Sequence, residues 1–126
     1  MKIIFLFLAI LTFNAFAFSQ GAVTKTPMLR HVVIFKFKDS SSAEDVQKVA
    51  DTFAALYGKV PQVKSFEWGI NNSPEHFNEG FTHCFILTFS SEKDLADYQQ
   101  NPAHIEFQKV LKPHMEKVFV VDYWVK

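Results

Sequence analysis

The sequence predicts an α+β domain of order βαββααβ, an antiparallel sheet with its helices on one face. Three observations carry this. Apolar, β-branched runs of strand length alternate with amphipathic stretches that carry helix-start signals. The connections between them are short. The strand runs are apolar on both parities while the helices suffice for one layer only, so the second sheet face has no cover from its own domain.

Residues 28–38, MLRHVVIFKFK, read as the first strand: Lys36 and Lys38 share one parity, and His31, Val33, Phe35 and Phe37 share the other. Ser41-Ser42-Ala43-Glu44 has the spacing of a capping box. Val46, Val49, Ala50, Phe53 and Leu56 follow at helical intervals, with Gly58 and Pro61 expected to stop the helix. Residues 63–70, VKSFEWGI, read as a second strand, and the turn formers of 71–80, NNSPEHFNEG, as a loop. The third strand, FTHCFILTF over 81–89, sets His83, Phe85, Leu87 and Phe89 on one face and Thr82, Cys84, Ile86 and Thr88 on the other. Mostly apolar on both, it is expected at the centre of the sheet and covered on both sides.

Ser90 or Ser91 is placed to cap a helix running through Leu95 and Tyr98. Asn101-Pro102 starts another, Asn at the cap and Pro at the first helical position. KVFVVDYWV, residues 117–125, is the last strand. Val32, Ile34, Ile86 and Trp124 are expected on the uncovered face. The cover expected for it is a second copy of the chain, a homodimer whose sheets pack face to face into a barrel.

Residues 1–19 stand apart from the domain. Lys2 precedes a charge-free apolar run, and Ala17 and Ser19 occupy the minus-three and minus-one places of a cut before Gln20, the layout of a secretory signal peptide. The expectation is a signal peptide at 1–19, a linker at 20–27 and the folded domain at 28–126. The protein is then exported, periplasmic or secreted, without stable membrane insertion after cleavage. The whole chain carries 13 basic and 13 acidic side chains; loss of Lys2 leaves one net negative charge. There is no basic patch, so nucleic acid is not an expected partner. The single Cys84 cannot form an internal disulfide and reads as a small core hydrophobe. No glycine-rich phosphate loop, nucleophile elbow or CxxC is present.

The stretch DYQQNPAHIEF puts Tyr98 and His104 on either side of the Asn-Pro helix start. His104 would sit third in its helix, where the positive end of the dipole disfavours imidazolium. A neutral imidazole is what a base near pH 7 must be. A tyrosine hydroxyl within reach would fix its tautomer or hold a carbonyl. NPAH is equally a well-formed helix start in which the histidine satisfies a carbonyl, and the two alternatives stay open.

Four blocks in order, MLRHVVIFKFKD, EGFTHCFILTF, DLADYQQNPAHIEF and KVFVVDYW, resemble the stress-responsive A/B barrel (Dabb) family over essentially the whole mature chain. The resemblance implies a ferredoxin-like protomer assembled as a dimeric α/β barrel. The family includes stress-induced plant proteins without an assigned reaction and plant polyketide cyclases of the olivetolic acid type. In those cyclases a Tyr and a His in a segment similar to DYQQNPAH act together, the His as general base in an aldol closure. The resemblance thus nominates His104 and Tyr98 as catalytic candidates. It adds His31 and His83 to a candidate ligand pocket walled by Val33, Phe35, Phe53, Phe85 and Phe107.

This chain departs from the cyclase pocket at four places: Gln99 and Gln108 stand where the cyclases carry Ile and Gly, and Val49 and Ala50 replace two phenylalanines. Three imidazoles facing one cavity raise the question of a metal. No H-x-x-x-H or Cys pair fixes a ligand geometry, and neither a metal nor a cofactor is expected. His76 in the polar loop and His114 near a helix end lie outside the cluster. Two functions remain. One is an exported stress-responsive barrel that binds a small hydrophobic or aromatic molecule without turnover. The other is a base-catalysed cyclase, lyase or isomerase acting on a small carbonyl compound through Tyr98 and His104.

Overall fold

In a computed structural model whose described residues are 26–126, the chain runs β1 (Leu29–Phe37), α1 (Ala43–Ala54), α2 (Leu56–Lys59), β2 (Ser65–Ile70), β3 (His83–Phe89), α3 (Glu92–Gln100), α4 (Pro102–Leu111) and β4 (Met115–Trp124). The expected signal peptide and the linker up to residue 25 lie outside the described residues. All strand pairs are antiparallel, in the order β2-β3-β1-β4. The order is the expected one with a short extra helix, α2. Among the described residues no helix is long and apolar enough to cross a membrane.

Two local expectations shift. Ser42, not Ser41, caps α1, its Oγ accepting from the Asp45 amide at 3.1 Å. The Ser41 amide instead donates to the Lys38 carbonyl at 3.0 Å, closing a turn that delays the helix by one residue. Gly58 does not stop the helix either: α2 runs through it and ends at Val60, which is extended because Pro61 follows.

The helices cover one sheet face. Along β1, residues Leu29, His31, Val33, Phe35 and Phe37 are buried and those between them half-buried, which is the signature of a strand packed on one side. Phe53 from α1 is the hub of that packing. It stacks on Phe107 of α4 at 4.3 Å between ring centroids and meets Phe85 of β3 at 4.7 Å. Each such buried phenylalanine contributes about 1.5–3 kcal/mol.

The opposite face is open. Directly paired residues point the same way, so Val32 with Ile86 and Val121, and Ile34 with Cys84 and Phe119, form an apolar band. Phe119 is 52% exposed and Val121 40%. Strand β3 is central as expected, but covered on one face only among the described residues. Cys84 is half-buried in the open band rather than a core residue; burial raises its thiol pKa, and Glu67 raises it further. Trp124 is not in that band. It pairs with Leu29 and therefore lies on the helix-facing side. Parity alone left its face undetermined, and the register with β1 decides it.

The 71–82 loop folds against the rim of the open face. Its turn needs Gly80 at φ +83°, where a Cβ would come within 2.7 Å of Lys36 Cε. With Ile34, Trp68, Ile86 and Phe119, the loop encloses a hollow of about 630 Å³.

Candidate functional site

On the helix-facing side, over the β1 and β4 half of the sheet, lies a cavity of about 760 Å³. His31, Val33 and Phe35 of β1 form its floor, with Phe53, Tyr98, His104 and Phe107 from the helices above. Val118 and Val120 of β4 complete the wall and remain 45% and 47% exposed, because the helices do not reach over this edge strand. Gln99, Gln100, Gln108 and Lys112 supply the polar lining.

The corner between α3 and α4 brings Tyr98 and His104 together. Asn101 is extended and its Oδ1 accepts from the Ala103 amide at 2.9 Å, and Pro102 opens the helix as expected. His104 thus falls in the first turn, folded back on α3 with its ring 4.4 Å from that of Tyr98. Its Nδ1 lies 3.2 Å from the Gln99 carbonyl. A carbonyl only accepts, so the hydrogen belongs on Nδ1 and Nε2 carries the lone pair. Burial lowers the His104 pKa from the ordinary histidine value; the Gln99 carbonyl opposes the shift and neighbouring His31 adds to it. At neutral pH this imidazole is an uncharged acceptor.

Tyr98 is fully buried, packed on Phe89 at 5.1 Å, and among the described residues its hydroxyl has no hydrogen-bond partner. Burial pushes the phenol pKa far up, so it stays protonated. Of the two roles expected for the Tyr98 hydroxyl, fixing the tautomer is taken by the Gln99 carbonyl, which leaves the other, holding a carbonyl.

His31, buried on β1, turns its ring edge toward Tyr98 at 6.0 Å. Its Nδ1 is 2.6 Å from Oδ1 of Asp122, the residue directly opposite on β4. Asp122 escaped the sequence reading. Its signal was present, a lone charge inside the apolar run KVFVVDYWV, but its partner depends on the pairing of two strands far apart in sequence.

Two expected pocket residues do not line this cavity. His83 shares the helix-facing side but sits on the next strand, opposite Phe35 and farther along the sheet. It packs edge-on to Phe37 at 5.0 Å and parallel to Trp68 at 6.1 Å, and burial lowers its pKa. Phe85 lies in the core beneath Phe53. Parity assigned both to the correct face but could not say over which half of the sheet the cavity would open. The three imidazoles therefore do not converge, and among the described residues no group of three or more His, Cys, Asp or Glu side chains is placed to hold a metal. His114 is remote, its Nδ1 paired with the Ser41 hydroxyl at 2.9 Å. Gln99 and Gln108 do line the cavity, whereas Val49 and Ala50 are core residues of α1.

The arrangement offers an acceptor nitrogen and, beside it, a buried hydroxyl with no partner among the described residues, next to a cavity lined by apolar side chains and by Gln99, Gln100, Gln108 and Lys112. It suits a ligand with one polar group, or the removal of a proton from one.

Comparison with known proteins adds a family and relatives. The family profile described as Stress responsive A/B Barrel Domain matches residues 29–125. The stress-response A/B barrel domain-containing protein HS1 of Arabidopsis thaliana is 36% identical over 95 residues, 75% of this chain and 87% of its own length. Olivetolic acid cyclase of Cannabis sativa is 30% identical over 95 residues, 75% of this chain and 94% of the cyclase. Among solved structures, hydroxynitrile lyase from Passiflora edulis superposes with a TM-score of 0.75 at 28% identity, covering 81% of this chain and 96% of the lyase. A dimeric protein of unknown function with a ferredoxin-like fold from Bacteroides fragilis gives 0.64 at 27% identity, over 78% and 96% of the two chains. The fold is ferredoxin-like, as the resemblance implied.

Proposed function

This chain belongs to the stress responsive A/B barrel domain family, and on that premise we propose that it is an exported homodimer whose helix-covered cavity binds a small hydrophobic or aromatic molecule, with Tyr98 and His104 at the polar end. The observation that carries the binding reading is the Tyr98 hydroxyl, buried beside the cavity without a partner among the described residues. Such a hydroxyl costs about 1–3 kcal/mol, and a ligand carbonyl oxygen accepting from it offsets that cost. The volume lies within the roughly 300–1,000 Å³ usual for small-molecule sites. Calorimetric titration with acetophenone, with toluene as the control that lacks an acceptor, tests the assignment. Acetophenone is expected to bind the wild type about 2–10-fold more tightly than Tyr98→Phe, the worth of one neutral hydrogen bond. Equal binding to both proteins, or none to either, counts against it.

A second reading, base catalysis on a small carbonyl compound, is favoured by one observation: His104 is neutral, with Nε2 unpaired among the described residues, beside a protonated tyrosine. Two similar proteins carry enzyme names, a cyclase and a hydroxynitrile lyase. Gln99 and Gln108 add amides to the wall, which favours a compact polar substrate over a long apolar one. In a turnover screen with small aldehydes and ketones, His104→Ala separates the two readings. Lost turnover with an intact oligomer supports the enzyme, and lost stability alone supports architecture.

Dimerisation is supported by the apolar band of Val32, Ile34, Ile86, Phe119 and Val121 on the open face and by the dimeric Bacteroides fragilis protein. Sedimentation should give twice the protomer mass, falling to one protomer in Val121→Glu. Export rests on residues 1–19, and N-terminal sequencing of the protein from its host should start at Gln20.

A further inference from the structure

We propose that the hollow under the 71–82 loop is the socket for Arg30 of the partner subunit, and that two such contacts, one from each copy, fix how the open faces meet. The proposal deepens the homodimer reading and rests on it.

Two charges on the apolar open face, Arg30 and Glu67, have no ion pair among the described residues. Arg30 lies directly opposite Thr88 and Tyr123, two residues along β1 from Val32, and therefore on the open side. Its guanidinium donates to the Thr88 hydroxyl, a neutral acceptor that also takes the Ser65 hydroxyl at 2.7 Å. That contact uses one of its five N–H donors. Glu67 lies opposite Ile86, on the same side but two strands from Arg30, and lines the hollow with Glu79, Phe77 and Phe119. Among the described residues, no lysine, arginine or histidine lines that hollow.

Both charges lose water when two such faces meet, and an arginine cannot shed its proton to avoid the penalty. Pairing across the interface offsets it. The hollow suits a guanidinium on two counts. It holds two carboxylates and no cation, and its Phe77 and Phe119 rings are 84% and 52% exposed, surfaces on which a guanidinium stacks. Charge also selects the orientation. Arg30 stands toward one end of the open face, and the hollow, Lys36 and Lys117 toward the other. A two-fold axis along the strands would set each end on its own copy, carboxylates on carboxylates and lysines on lysines. An axis across the strands lays the partner's Arg30 over the loop end, and symmetry repeats the contact. Lys36 is held by Glu116 at 2.9 Å and does not compete for the socket.

Charge reversal in the whole protein tests the contact at about 0.15 M salt, where a Debye length of about 8 Å leaves only close charges to act. By sedimentation, Arg30→Glu and Glu67→Arg should each raise the dimer dissociation constant about 100-fold or more. Mixing the two variants restores both pairs across the interface, because each chain then meets the opposite charge twice. The mixture should form a heterodimer, identified by its mass in native mass spectrometry, with a dissociation constant within about tenfold of wild type. Either variant dimerising like wild type overturns the proposal. So does a mixture that stays monomeric, since the two residues would then act within their own chain. Should a reversed charge keep a chain from folding, Arg30→Gln and Glu67→Gln form a double-mutant cycle, in which coupled losses support the pair and additive losses refute it. Val121→Glu keeps the two failures apart. A monomer in that variant beside unaffected charge variants refutes the socket and spares the dimer through the open face, whereas a dimer in Val121→Glu refutes both.

Discussion

Replacing Tyr98 by Phe should make the protein more stable and a poorer binder at once. The ring stays where it is, packed against Phe89 at 5.1 Å and His104 at 4.4 Å. Only the hydroxyl goes, and it is buried with no partner among the described residues. A group in that position costs about 1–3 kcal/mol in desolvation; a few tenths return as the small void left by one oxygen. The net gain is about 0.5–2.5 kcal/mol. For a domain near 100 residues each kcal/mol moves the melting midpoint by about 4–8 °C. Calorimetry on the ligand-free protein at one fixed protomer concentration reads this directly, since an oligomer's midpoint depends on concentration. A loss of about 1 kcal/mol with unchanged acetophenone affinity would refute the reasoning, because the hydroxyl would then be an architectural donor with a partner inside the fold.

Other consequences are simpler. Phe53→Ala removes the ring between Phe107 and Phe85 and should cost about 3–5 kcal/mol in urea unfolding. Asn101→Ala deletes the cap on the Ala103 amide and should cost about 1 kcal/mol; the loosened helix start should also let His104 titrate closer to its ordinary value. His83 and His104 both have folded pKa values below the unfolded value near 6.5. Below that pH the unfolded chain takes up more protons, so their contribution is whole above about 6.5 and is lost as pH falls through the folded values. The melting midpoint should drop from pH 8 to pH 5, and His83→Phe should drop less than wild type; an equal or larger drop would contradict the sign.

The sequence makes the strands, their faces and the helix starts legible wherever the signal is local. Asn101 and Ser91 cap their helices with their own side chains. The alternation in MLRHVVIFKFK states which residues of β1 meet the core. What escapes it is set by distant partners. The choice of Ser42 over Ser41 depends on a turn back to Lys38. The side taken by Trp124 and the meeting of Asp122 with His31 both depend on β1–β4 register. His83 shows the limit most clearly, because parity gives its face correctly and yet its strand carries it away from Tyr98 and His104. Within the site, the Asn-Pro start could be read to the residue, whereas the orphaned hydroxyl of Tyr98 is a property of packing alone.

The most direct test is a titration of the His104 imidazole by NMR, repeated with acetophenone. The site described here predicts a midpoint below the ordinary value of about 6.5 and a resonance that moves when the ketone is added. A His104 that titrates at the ordinary value and ignores the ketone would contradict it, leaving NPAH a helix start and the cavity an empty consequence of the fold.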